Sequence, residues 1–116
     1  MSERDREIIG LIVELCGTCS EILDSIGGDY QTLKENKIYS YSCGMCVLQI
    51  GEMSSRLSEE FRKKHDDIPW RLIKDTRNFY VHNYFSIDTE VLWSTITESL
   101  PDLKTKCERI LSEQAG

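Results

Sequence analysis

Apolar side chains recur at intervals of four and three along two long stretches of this chain. Ile8, Ile12, Leu15, Cys19, Ile22 and Ile26 form one series. Tyr39, Cys43, Cys46, Ile50, Met53, Leu57 and Phe61 form the other. An α-helix turns about 100° per residue, so each series falls on one helix face. No stretch alternates with the period of two that a half-buried strand needs. The chain is therefore expected to be all-α, an up-down bundle of about five helices with short loops. Only two prolines and seven glycines interrupt the pattern.

The first helix is expected from about Glu3 to Ser25, opened by Ser2 with Asp5 three residues on, a capping-box arrangement. Gly27-Gly28 ends it. A short helix is expected over Tyr30–Glu35, and a long one from about Ile38 to Lys63. Lys64-His65-Asp66-Asp67 is a polar break in which His65 reads as a solvated loop residue. Pro69 suits a first helical turn, whose amide is free anyway, and that helix should reach about His82. Asn83 tolerates positive φ and reads as a left-handed stop. Ser86 or Asp88 can cap a helix from Thr89 to Glu98. Ser99-Leu100-Pro101-Asp102 then restarts or kinks a last helix to about Ser112. Tyr39, Tyr41, Met45, Met53, Phe85 and Trp93 read as core at these spacings.

With 40% apolar and 29% charged residues in 116 positions, one globular domain spanning 1–116 is expected. No apolar run approaches a membrane span. The charged start Met1-Ser2-Glu3-Arg4-Asp5-Arg6-Glu7 does not read as a signal peptide, so the expected location is cytoplasmic. Net charge is −6, which by itself argues against nucleic acid. The distribution is uneven: residues 62–82 carry six positive and three negative side chains, a local +3. An anion would be drawn to that segment and repelled elsewhere.

Within it lies Arg77-Asn78-Phe79-Tyr80-Val81-His82-Asn83-Tyr84. Arginine stays charged and presents a fork of donors that fits phosphate. Histidine is the side chain best suited to moving a proton near neutral pH. Together they can cut RNA without a metal, arginine holding the charge that builds on phosphorus and histidine serving the 2′-hydroxyl or the leaving oxygen. On an ideal helix Arg77 and Tyr84 share a face and His82 lies about 140° away. The three converge better if the helix frays near Val81. Arg71 and Lys74 precede Arg77 and can widen a phosphate-binding face. The plainer reading is an exposed arginine and a histidine at a helix C-terminus, where a cation suits the dipole. Spacing alone favours that plainer reading.

The surrounding residues add a resemblance. Gly51-Glu52-Met53-Ser54-Ser55-Arg56-Leu57-Ser58, Ile68-Pro69-Trp70-Arg71, the Arg-x4-His-x-Tyr of Arg77, His82 and Tyr84, then Trp93 and Leu100-Pro101 resemble the HepT-like branch of the HEPN proteins. The likeness runs from about Gly51 to Leu111 and more loosely through the first helix. It implies an all-α homodimer with two motifs facing each other, and a metal-independent endoribonuclease toxin that needs no cofactor. It also implies a cognate nucleotidyltransferase antitoxin that uses ATP to transfer AMP to the motif tyrosine, here Tyr84. Carried over, Arg77 binds the scissile phosphate, His82 transfers the proton, and Asn78 orients one or the other. One departure is Asn83, at a position after the histidine that is often glycine. The rival reading within the same fold is a non-catalytic module that presents nucleotide or substrate to a nucleotidyltransferase.

A third reading rests on the cysteines. Five is an odd number and fits a reducing compartment. Cys16/Cys19 and Cys43/Cys46 are two Cys-x-x-Cys pairs, the donor set of a tetrahedral zinc site in a loop-rich chain. Cys19, Cys43 and Cys46 lie on the apolar stripes, however, and free cysteine behaves as a small buried hydrophobe. Core packing is therefore expected, with no metal ligand among them. Cys107 reads as core or surface filler.

Overall fold

The structure, a computed structural model, describes residues 1–83 and 86–115, with side chains to Glu113. All regular structure among these residues is helical. Ser2 opens α1 (Glu3–Ser25), its hydroxyl accepting the Asp5 N–H at 3.0 Å. Gly27 and Gly28 close it with φ of +64° and +66°. This is left-handed backbone that glycine enters without a Cβ penalty. It lets the Gly28 N–H reach back to the Leu23 carbonyl at 2.9 Å. Then come α2 (Tyr30–Glu35) and α3 (Lys37–Ser55), the latter capped by Asn36, whose Oδ1 accepts the Ile38 N–H at 2.9 Å.

The helix expected to run on to Lys63 stops instead at Ser55, and a separate α4 (Glu59–Lys64) follows. The cause is a contact invisible to local spacing. The Asp5 carboxylate, from the start of α1, accepts the Ser58 backbone N–H at 3.0 Å and the Ser58 hydroxyl at 2.7 Å. Ser58 is held extended and caps α4 by accepting the Phe61 N–H. Asp5 is thereby buried with its charge answered. Burial alone would push its pKa up, but the hydrogen bonds from Ser58 and Ser2 outweigh it and hold the carboxyl below its ordinary value.

α5 (Trp70–Asn83) and α6 (Thr89–Ser94) complete the approach to the last helix. Asp88 caps α6, accepting the Glu90 and Val91 N–H groups. A π-helical turn, Thr95–Ser99, joins α6 to α7 (Leu100–Ala115). The expected kink is this wider turn. It accommodates Pro101, which has no N–H for the ladder and whose ring would crowd the Thr97 carbonyl of a regular helix.

α3 packs on α1 and α5, and α1 packs on α7. Asp5 meets Ser58 and Cys19 meets Cys43, so α1 and α3 run antiparallel. The molecule is 20 Å across its thinnest direction, room for two layers of helices about 10 Å thick. The buried core takes Ile8, Ile12 and Cys19 from the first stripe and Cys43, Cys46, Ile50, Leu57 and Phe61 from the second. Burying each isoleucine contributes about 1.5–3 kcal/mol. No helix among the described residues is long and apolar enough to cross a membrane.

Two expectations are corrected. Met45 is exposed, while Tyr39, Met53 and Trp93 pack against the core as expected. His65 is half-buried, its ring 4.5 Å from that of Phe61, and its carbonyl accepts the Trp70 indole N–H at 3.0 Å. Phe85 lies outside the described residues.

Candidate functional site

The site begins where two helices touch. Gly51 on α3 is buried under α5. A Cβ at that position would lie 2.2 Å from the Arg77 Cβ and 2.7 Å from its Cγ. No side chain fits that gap, so the missing Cβ lets the aliphatic stem of Arg77 lie on the α3 backbone. Glycine inside a helix costs about 0.5–1 kcal/mol, which the α3–α5 packing offsets.

Beyond Gly51 the guanidinium meets Glu52. Arg77 Nε donates to Glu52 Oε1 at 2.6 Å, and Nη2 donates to the same oxygen. Nη1 donates to Oδ1 of Asn78 at 2.9 Å. A guanidinium has five N–H donors. Three are engaged, which leaves one on Nη1 and one on Nη2. Both side chains of the ion pair are about a third exposed. The group is thus clamped in orientation yet keeps a donor on each terminal nitrogen, and these can be offered to the oxygens of a phosphate.

His82 stands five residues on and is exposed. α5 stays helical through Asn83, and no non-glycine among the described residues takes positive φ. The fraying near Val81 and the left-handed Asn83 stop are therefore corrected. Asn83 instead turns its amide back to the Phe79 carbonyl at 3.0 Å, an interaction that sustains the last turn. With the helix intact, Arg77 faces α3 while His82 lies about 140° round the axis and about 7.5 Å along it. One chain does not bring the two together. Tyr84 lies outside the described residues.

Asn78, Arg71 and Lys74 do come together. They line a polar cleft of about 720 Å³ beside Arg77, with Ser54 and Ser55 of α3 opposite them. Two further residues complete its wall, Arg62 of α4 and Trp70 at the start of α5; the basic segment and the Ile68-Pro69-Trp70-Arg71 motif contain them, but nothing in the sequence assigned either a role. The ion pairs among the described residues join Lys63 to Glu59, Arg77 to Glu52 and Lys106 to Asp102, and none involves Arg62, Arg71 or Lys74. Glu52 was equally hidden as a partner of Arg77. Arg62 at least belonged to the basic segment, but 25 residues separate Glu52 from Arg77, and no local pattern links them.

On the other side of α5 the surface turns apolar. Leu72, Ile73 and Thr76 face Val91, Leu100 and Leu103 across a cavity of about 280 Å³. Leu72 and Phe79 of α5 and Val91 of α6 are exposed apolar side chains there, while the exposed Val81 lies nearer the Arg77 face of α5. The five cysteines are free and buried. Burial pushes the Cys16 and Cys107 thiols up to about 12, which leaves them protonated and unreactive. Among the described residues no group of three or more His, Cys, Asp or Glu is placed to hold a metal ion.

Residues 15–110 match the family model described as ribonuclease HepT-like. The chain is 32% identical over 109 residues to "Putative RNase MJ1380" of Methanocaldococcus jannaschii, covering 93% of this chain and 98% of that one. It is 41% identical over 61 residues to "Probable ribonuclease HepT" of Thermococcus cleftensis, covering 53% of this chain and 56% of that one. No solved structure matches. The chain belongs to the ribonuclease HepT-like family.

Proposed function

We propose that this protein is an endoribonuclease that cuts RNA by 2′-hydroxyl attack without a metal, and that it is the toxin of a toxin–antitoxin pair. The observation that carries this reading is the clamped Arg77, with two free donors, beside a cleft walled by three cations that have no ion-pair partner among the described residues. In the reaction the 2′-oxygen bonds to phosphorus as the bond to the 5′-oxygen breaks, leaving a 2′,3′-cyclic phosphate. A base takes the proton of the 2′-hydroxyl and an acid delivers one to the 5′-oxygen. Arg77 neutralises the charge that grows on the phosphoryl oxygens between these events. His82 supplies proton transfer, and Asn78 orients the Arg77 guanidinium through its Oδ1.

One histidine cannot serve as base and acid in a single step. His82 and Arg77 also lie on different faces of an unbroken α5. Both facts support a homodimer, in which a two-fold axis supplies two copies of each residue to one cleft. Leu72 and Phe79, both exposed and seven residues apart on one face of α5, suit such an association. Silencing is assigned to Tyr84. A cognate nucleotidyltransferase antitoxin moves AMP from ATP to its hydroxyl: the tyrosine oxygen loses its proton and bonds to the α-phosphorus as pyrophosphate leaves, adding bulk and a negative phosphate that exclude RNA.

RNA cleavage in EDTA by wild type and by His82→Ala tests the activity. Wild type is expected to cut and the variant to be inactive; undiminished cleavage by the variant would overturn the assignment. For the switch, mass spectrometry after incubation with a cognate nucleotidyltransferase and ATP should find AMP on the peptide containing Tyr84. A second reading, a non-cleaving partner module of a nucleotidyltransferase, is favoured by the net charge of −6. Tight transferase binding with no cleavage by wild type would select it.

A further inference from the structure

We infer that the cleft beside Arg77 is a second nucleotide subsite. It takes the nucleotide next to the scissile phosphate on single-stranded RNA, with the base against Trp70 and the outer phosphate on Arg71 and Lys74. The inference rests on the ribonuclease reading and deepens it by naming how the flanking strand is held.

The cleft has the size and chemistry for this. Its volume of about 720 Å³ lies within the span of about 300–1,000 Å³ common for small-molecule sites. Arg71, Lys74 and Asn78 follow one another at intervals of three and four, so they form a single row along α5. Arg62 adds a third cation from α4, and none of the three cations is in an ion pair among the described residues. The chain is acidic overall, so an anion is steered to this row and away from most other surface.

Trp70 distinguishes a nucleotide from a bare anion. Its indole N–H is bonded to the His65 carbonyl at 3.0 Å, and its ring packs on Phe61 with centroids 6.3 Å apart. The ring is therefore fixed before any ligand arrives, and little order is lost when a base stacks on it. Opposite it, the Ser54 and Ser55 hydroxyls donate to the carbonyls of Ile50 and Glu52. Their oxygens still have lone pairs for a ribose hydroxyl or a base N–H. Asp75, exposed at the rim, can accept from the same groups.

Asn78 ties the subsite to the chemistry. Its side chain lines the cleft, and its Oδ1 accepts from Arg77 Nη1. A strand that enters the cleft therefore runs past Asn78 to the free donors of Arg77. Cations alone would suit an acidic protein segment equally well. The pinned aromatic ring among hydroxyl groups favours RNA.

The test uses His82→Ala protein, so that RNA is bound and not cut, with Trp93→Phe added to leave Trp70 as the only tryptophan. The probe is single-stranded hexauridylate, titrated by tryptophan emission and, with a fluorescein label, by anisotropy in His82→Ala alone. Saturable quenching of Trp70 is expected. Arg71→Ala with Lys74→Ala should weaken binding about tenfold and flatten the slope of log K against log salt by about 0.7, the contribution of the one outer phosphate no longer neutralised. Unquenched Trp70 with RNA bound, or an unchanged slope in the double variant, overturns the subsite. So does displacement by hepta-glutamate at concentrations that match hexauridylate. If His82→Ala binds and quenches while wild type cleaves nothing, the ribonuclease reading fails and the cleft stands only as a site that binds single-stranded RNA. If wild type cleaves RNA while Trp70 stays silent and the slope is unchanged, the subsite alone fails.

Discussion

Arg77 and Glu52 form a clamp in which two guanidinium nitrogens, Nε and Nη2, donate to the single carboxylate oxygen Oε1. The pair bridges α5 and α3 one residue beyond Gly51, the point where those helices touch. Glu52 therefore decides where the free donors of Arg77 sit, and it acts as a positioning residue in the reaction proposed above.

Glu52→Ala should lower kcat for RNA cleavage by about one to two orders of magnitude, because a displaced guanidinium no longer meets the phosphate in line. Glu52→Gln, which keeps one acceptor, should recover part of that loss. KM is expected to change much less in both. The check is steady-state kinetics on one RNA substrate, with circular dichroism to confirm the fold. Equal losses in the two variants, or an effect on KM alone, would remove Glu52 from this role.

Gly51→Ala places a methyl group 2.2 Å from the Arg77 Cβ. Backbone or helix must shift, and a cost of about 1–3 kcal/mol is expected from overpacking. Gly10→Ala is the matched control, since nothing lies within 4 Å of its added Cβ. There the helix should gain about 0.5–1 kcal/mol. Urea denaturation of the two variants should give opposite signs, and cleavage should fall in Gly51→Ala.

Asp5 carries a prediction about acid. Its pKa is depressed in the folded chain by the Ser58 and Ser2 hydrogen bonds, while the unfolded group titrates near its ordinary value of about 3.9. A depressed carboxyl contributes stability above the unfolded pKa and loses it as pH falls through the folded one. Asp5→Asn should cost about 1–3 kcal/mol at pH 7, and the gap from wild type should close below about pH 4. Denaturation midpoints from neutral pH down into this acid range measure it; a gap that stays constant with pH would place the effect in shape and not in charge.

Much of this architecture was legible along the chain. The two apolar stripes placed α1 and most of α3, Ser2 and Gly27-Gly28 marked the ends of α1, and Pro101 announced the break before α7. These are local matters of helix periodicity, caps and missing donors. The break between α3 and α4 was not legible, because Asp5 imposes it from 53 residues away. The exposure of Met45 was hidden for a similar reason, since apolar spacing says which face a residue shares but not whether another helix covers it.

The site divides along the same line. The sequence by itself determined the all-α class, the family resemblance, and the gathering of Arg71, Lys74, Arg77, Asn78 and His82 in one segment, because residue type and helical spacing are properties of the local chain. Only the tertiary structure decided that Glu52 holds Arg77, that Arg62 and Trp70 complete the cleft, and that α5 runs unbroken through Asn83 with His82 turned away from Arg77. Those facts depend on which helices pack together and how closely. At Gly51 that closeness comes down to one absent Cβ.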